Sequence, residues 1–354
     1  MLRIIITVDY EIHGNGEGAP QSLMVEPTDR MLDLFERHGA KLTIMADVAE
    51  ILRFQQHVTE TGDDRFGASS IVEQLRRVIA RGHDVQLHVH PGYVRAVWDG
   101  ARWRQDYGEY DFARLDYHRA LNLILLCKTF LEDTLRPVRP EYACIAFRAG
   151  NWAMQPSHDV VTALVAAGIA IDTSVFKFGR RSGPVCFDYA AAWSDIVPWP
   201  VSTRDVCAID PSGQLVEVPI YAESRWVGAF FSTLRLRRVL MSRRHPVGEE
   251  VAATAAGGRW SRLAWMFQRH AWKMDINQCD SRQLIGGLRR AEAKAAAVHR
   301  TLPLVLIGHS KLFSRANERR LEPFLEFVEK QPGRFRFGTF GDLDLKELRG
   351  VVHP

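Results

Sequence analysis
Cysteine is scarce in this 354-residue chain, and the five present, Cys127, Cys144, Cys186, Cys207 and Cys279, form no C-x-x-C pair. That scatter argues against a disulfide framework and a thiolate metal site, and it suits reduced thiols in a cytoplasmic protein. Long apolar runs are missing too. The longest, Val160 to Ile171, contains Gly168 and is about half of the roughly 20 residues a membrane-crossing helix needs. The opening run Leu2-Arg3-Ile4-Ile5-Ile6-Thr7-Val8 has neither a basic head nor a small-residue cleavage site, so it reads as a strand rather than a secretion signal. A soluble, cytoplasmic protein is expected. Charge of one sign is also lacking: the formal net charge is +4, too little for the basic face of a nucleic-acid binder, and no nucleic-acid partner is expected.

Hydrophobic residues make up 46% of the chain and charged residues 25%, as in a globular protein with a sizeable core. Short β-rich runs alternate with amphipathic stretches, the pattern of an α/β fold with a mainly parallel sheet. Strands are predicted at Arg3–Val8, Lys41–Met45, Asp84–Val89, Cys144–Phe147, Ile169–Ile171, Leu304–Ile307 and Phe335–Phe337, with another at Gln214–Tyr221. Helices are predicted from Pro27 to about His38 and at Ser69–Ala80, Phe112–Leu131 and Ser157–Ala167. About seven strands in this rhythm imply a barrel or near-barrel, one unit covering residues 1–350.

Two stretches break the rhythm. Gly92–Tyr110, rich in Trp, Tyr, Arg and Asp, follows a strand directly, as a substrate-facing loop would. Ser224–Asp280 is too long for a connection and reads as an insertion with its own helices. It holds Arg235-Leu236-Arg237-Arg238, Arg243-Arg244, Trp260, Trp265 and Trp272. Residues 223–300 carry fifteen Lys and Arg against six Asp and Glu, so the rest of the chain is net acidic. Two readings stand: the tryptophans are the insertion's own core, or basic and aromatic groups together meet substrate, an anionic membrane surface or a second subunit.

Most of the informative polar residues lie where predicted strands end, the place where parallel α/β folds gather their ligand sites. Asp9 and Glu11 in Thr7-Val8-Asp9-Tyr10-Glu11 share one face of an extended chain, as solvated carboxylates or as part of a site. His88 and His90, before Pro91, have the same spacing and can present two imidazoles to one cation; nitrogen and carboxylate donors suit Zn²⁺ or a similar divalent ion. Arg148, in Phe147-Arg148-Ala149-Gly150-Asn151-Trp152, can hold a carboxylate in a bidentate pair. Asp172, in Ile171-Asp172-Thr173-Ser174, either caps a turn or faces the site. His309, in Leu306-Ile307-Gly308-His309-Ser310-Lys311, is placed as a general acid or base. Gly14-Asn15-Gly16-Glu17-Gly18 lacks the Lys and helix start of a phosphate loop and reads as a loop at the barrel mouth.

In this order, the motifs resemble those of the NodB-homology polysaccharide deacetylases (carbohydrate esterase family 4), over nearly the whole chain from Arg3 to about Leu343. The resemblance implies a distorted, incomplete (β/α)7 barrel with a helical insertion at 224–280. By resemblance Asp9 is the catalytic base, Glu11, His88 and His90 hold a divalent metal, usually zinc, Arg148 orients the base and His309 is the general acid. Asn151, Trp152 and Asp172 would line the substrate groove. Two features depart from the family pattern. The histidines are H-x-H rather than H-x-x-x-H, and Tyr10 replaces a second adjacent Asp, so the roles of Asp9 and Glu11 could be exchanged.

The implied activity is hydrolytic N-deacetylation of an N-acetylated sugar, either carrier-linked or a glycan precursor, in the cytoplasm or peripherally at the inner membrane face. Two alternatives remain open. One is a metal-independent amidohydrolase of the same fold acting on a ureide or imide. The other is a non-catalytic carbohydrate-binding barrel.

Overall fold
In the computed structural model, residues 1–236, 267–298 and 300–350 are described. The barrel strands are β1 (Leu2–Tyr10), β2 (Leu42–Asp47), β3 (Asp84–Val89), β4 (Ala146–Ala149), β5 (Ile171–Asp172), β7 (Val216–Glu217) and β10 (Leu302–Leu306). The edge strand β6 (Trp199–Pro200) and β11 (Phe335–Phe337) complete a nine-stranded sheet in the order β6-β7-β5-β4-β3-β2-β1-β10, with β11 also on β1. Every pairing is parallel except β6 with β7. β1 shows why: Ile4, Ile5, Ile6 and Val8 are all buried, the continuous apolar pattern of a strand covered on both faces.

Helices cover the outside: α1 (Glu26–Arg37), α2 (Val48–Thr61), α3 (Ala68–Ala80), α4 (Tyr117–Leu135), α5 (His158–Ala166), α6 (Ser281–Ala295) and α7 (Arg315–Glu329). Asp47 ends β2 and caps α2, its side chain accepting from the Glu50 amide. This side-chain cap satisfies one of the unpaired amides at a helix start. The ring does not close fully. Past β7, a single parallel bridge, Ile220 to Val305, and the bond from the Tyr221 amide to the Val305 carbonyl (3.0 Å) join the sheet to β10. The molecule is an incomplete (β/α) barrel. Among the described residues, no helix is long and apolar enough to cross a membrane.

The described parts of the 224–280 segment include an antiparallel pair of strands, β8 (Ala222–Trp226) and β9 (Arg269–Lys273). Trp272 is buried there beneath the Arg290 guanidinium, 5.7 Å from its ring, while Trp226 is exposed. Arg237, Arg238, Arg243, Arg244, Trp260 and Trp265, on which both readings of that segment turn, lie outside the described residues. Residues 92–110 fold as short turns and a two-residue hairpin that buries Trp103 against the 14–16 loop, the Trp103 amide donating to Gly16 at 3.0 Å.

Asp84 opens the strand that carries His88 and leads into His90, and it gives the fold a pH dependence. Burial pushes its carboxyl up to about 6, against 3.8 in an unfolded chain. Below pH 3.8 both states hold the proton and nothing is lost; as pH rises toward 6 only the unfolded chain ionises, and stability falls. Above 6 this one group costs roughly 3 kcal/mol, at about 1.4 kcal/mol per unit. Urea unfolding from pH 4 to 7 should therefore show a falling contribution that Asp84→Asn lacks; identical pH profiles for the two proteins would contradict it.

Candidate active site
The carboxyl ends of β1, β3 and β4 and the chain leaving β10 meet in one place. Register brings them there. His88 of β3 pairs with Arg148 of β4, and Asp9 forms a parallel bridge with His309, its amide donating to the Gly308 carbonyl at 2.9 Å. Two glycines make the approach possible. A Cβ on Gly150 would fall 2.5 Å from the Val89 carbonyl oxygen and 2.8 Å from His90 Nδ1, and one on Gly308 would fall 2.5 Å from Ile276 Cγ1.

Glu11, His88 and His90 are all buried, and one donor atom from each lies within 4.8 Å of the others. Glu11 Oε2 is 3.2 Å from His88 Nε2 and 2.9 Å from His90 Nε2. His88 Nδ1 donates to the Arg148 carbonyl oxygen at 2.8 Å, which leaves Nε2 as the ring nitrogen that faces Glu11. The His90 ring is held by His13, stacked on it with centroids 3.5 Å apart, and its amide donates to Asp47 Oδ1 at 3.2 Å. Two imidazole nitrogens and one carboxylate, oriented by outer partners and leaving a position open, fit a catalytic divalent ion of the zinc type.

Asp9 is not part of that triad. Its Oδ1 accepts from Arg148 Nη1 at 2.6 Å, and its Oδ2 is 3.5 Å from His309 Nε2. Arg148 is fully buried and spends its other donors on Thr7 Oγ1 (2.9 Å) and the Thr173 carbonyl (3.0 Å). Burial alone would raise the Asp9 carboxyl, but Arg148, with His88 and His309, outweighs it and holds Asp9 below its ordinary range. Glu11 follows the same pattern: burial opposes ionisation, and Lys311 with the two imidazoles drives the carboxyl well below its usual value. His88 is pushed up to about 9, because Asp9, Glu11 and Asp47 overcome the burial that would lower it. These groups form an interlocked set of buried charges, an arrangement concentrated at functional sites.

Trp152 stands edge-on to His309, ring centroids 6.3 Å apart, and Lys273 Nζ lies 3.6 Å over its ring. Asn151 and Trp152 both have φ of 57°, in the left-handed region where a side chain strains the backbone. Arg181 donates to Asn151 Oδ1 at 3.0 Å, and Tyr189 donates its hydroxyl to the Trp152 carbonyl. Asp172 is placed differently. It is fully enclosed, accepts from Ser174 Oγ at 2.6 Å, and sits against Glu217, whose carboxyl burial pushes well up. It does not join the others at the mouth.

Several partners of the site escape a reading of the sequence. Lys311, two residues past His309, lies 2.9 Å from Glu11 Oε1. His13 continues the alternation of Asp9 and Glu11, a spacing that could have suggested it. Asp47 and Glu50 carry no signal beyond a strand end and a helix start. Glu50 accepts from the Ile12 amide at 2.7 Å and the His13 amide at 3.1 Å, and so fixes the chain just beyond Glu11.

No family model matches the chain, and no curated protein matches it in sequence. Solved structures do match. A probable polysaccharide deacetylase from Pseudomonas aeruginosa PAO1 is 13% identical with a TM-score of 0.50, the match covering 98% of this chain and 90% of that one. A PuuE allantoinase is 13% identical with a TM-score of 0.49, over 100% of this chain and 91% of that one. The chain has the fold of the polysaccharide deacetylases, the NodB-homology barrel.

Proposed function
We propose that the protein is a metal-dependent hydrolase that removes the acetyl group from an N-acetylated sugar. One observation carries this reading: a Glu11–His88–His90 triad stands beside an Asp9 carboxylate held by Arg148 and faced by His309. The description of the Pseudomonas structure as a polysaccharide deacetylase supports it at the level of reaction class. A divalent ion held by Glu11, His88 and His90, zinc by its donor set, would polarise the acyl carbonyl and lower the pKa of a water from about 15.7 toward roughly 7.

The chain's own groups do the rest. Asp9, ionised through the Arg148 contact, accepts a proton from the attacking water. The water oxygen adds to the acyl carbon. His309, 3.5 Å from Asp9 Oδ2, then donates a proton to the sugar nitrogen as the C–N bond breaks, giving acetate and a free amine. Trp152 walls the side of His309 where the sugar would lie. A screen of N-acetyl sugars, free and carrier-linked, for zinc-dependent acetate release tests the proposal, and release from none of them would overturn it.

His309→Ala should lower turnover about 10²–10⁴-fold, the usual worth of a general acid, while zinc content stays unchanged. Near-normal acetate release from that variant would mean that another group protonates the nitrogen. A second reading, a metal-independent amidohydrolase acting on a ureide, has one observation in its favour: the Lys311 ammonium already supplies a positive charge at Glu11. Turnover of ureides by protein stripped with a chelator would select it.

A further inference from the structure
The two oxygens of Glu11 have different surroundings. Oε2 faces both imidazoles, 3.2 Å from His88 Nε2 and 2.9 Å from His90 Nε2. Oε1 faces away from them, 2.9 Å from the Lys311 ammonium. Lys311 is delivered there by a fixed piece of backbone. The turn Ser310–Leu312 follows His309 directly, the Leu312 amide donates to the His309 carbonyl at 3.2 Å, and Ser310 Oγ donates to the Asp9 carbonyl at 3.4 Å. The Glu11 side chain is 3% exposed and that of Lys311 is 14%, so water competes poorly for this charge-assisted bond.

We propose that Lys311 is a positioning residue that caps Oε1 of Glu11, so that Glu11 can give a bound divalent cation one oxygen only. The inference rests on the metal-dependent reading above. A cation gathered by the two imidazoles meets Oε2. To take Oε1 as well, it would have to displace the ammonium and bring a second positive charge against it. One-oxygen ligation keeps coordination positions open for a water and a carbonyl, as a catalytic site requires. The ammonium also withdraws charge from the carboxylate, which leaves the cation more electrophilic and more weakly held. Lys311 thus exchanges affinity for reactivity.

The test compares wild type, Lys311→Met and Lys311→Arg. Zn²⁺ affinity is read by competition with a chromophoric chelator, and coordination by the visible absorption of the Co²⁺-loaded proteins. Lys311→Met should bind Zn²⁺ at least about tenfold more tightly, within the range by which outer partners tune metal sites. Its Co²⁺ bands should weaken as Glu11 closes on the ion with both oxygens, and kcat should fall more than KM changes. Lys311→Arg should restore affinity and spectrum toward wild type. If Lys311→Met does not fold, Lys311→Gln replaces it, since both remove the charge. Equal or weaker Zn²⁺ affinity in the uncharged variant, with an unaltered Co²⁺ spectrum, overturns the role of Lys311 and leaves the metal-dependent reading standing. A wild-type protein that takes up neither ion overturns that reading, and this inference with it.

Discussion
His88→Ala should leave the purified protein without zinc and bring acetate release down by at least about 10³-fold, because a water of pKa about 15.7 would replace one near 7. The size of the effect follows from the geometry. Among the described residues His88 is one of three donors that converge, and its Nδ1–H is tied to the Arg148 carbonyl, so the imidazole is oriented before any ion arrives. Removing it leaves Glu11 and His90, which together cannot enclose an ion. It also removes the Nδ1–H bond to the Arg148 carbonyl. Elemental analysis after zinc loading, with circular dichroism as the check on folding, measures both consequences. Retained zinc and retained activity would show that the triad is a buried polar network and nothing more.

Asp9→Asn should give the second large loss, about 10²–10⁴-fold in turnover, through a different route. Zinc should stay bound, since Asp9 lies outside the convergent triad and points to Arg148 instead. The amide oxygen can still accept from Arg148 Nη1, so the fold should survive. Asp9→Ala is a poor substitute for this experiment. It leaves a fully buried guanidinium with neither a counter-ion nor an acceptor for Nη1, and breaking a buried pair in this way typically costs about 3–5 kcal/mol. The pair of readouts separates the two carboxylates. Loss of zinc in Asp9→Asn, with zinc kept in Glu11→Gln, would mean that their roles are exchanged.

Both variants change residues whose type and spacing mark them in the sequence, but the distances that give them separate roles cannot be read from spacing. The strand ends are legible. β3 runs from Asp84 to Val89 as its apolar alternation and Gly82 foretell, and β1 extends the predicted Arg3–Val8 only to Leu2 and Tyr10. The apolar pattern puts β4 and β5 about two residues early, because Cys144 and Ile169 are as apolar as true strand residues although neither pairs in the sheet. Helix α4 begins at Tyr117 rather than Phe112. Asp116 caps it, accepting from the Arg119 amide, and Phe112 lies in a separate short turn capped by Asp111. Side-chain caps decide that boundary, and periodicity alone does not see them.

What the sequence determined is the set of chemical parts and the end of the sheet at which they lie. Alternation puts Asp9 and Glu11 on one face and His88 and His90 on another, and apolar runs make the strands that carry them parallel and buried. The tertiary structure decided which part meets which. Asp9 and Glu11 are equivalent by spacing; they differ because the β1–β10 register sets Asp9 beside His309, and β4 sends the Arg148 guanidinium to Asp9 alone. Asp172 has the same strand-end credentials as Arg148, yet its pairing with Phe147 encloses it against Ser174 and Glu217. Lys311 reaches Glu11 across 300 residues of chain. Local sequence fixes the direction in which a side chain leaves its own strand. Contacts between strands depend on sheet register and turn geometry, which are set by the whole barrel at once.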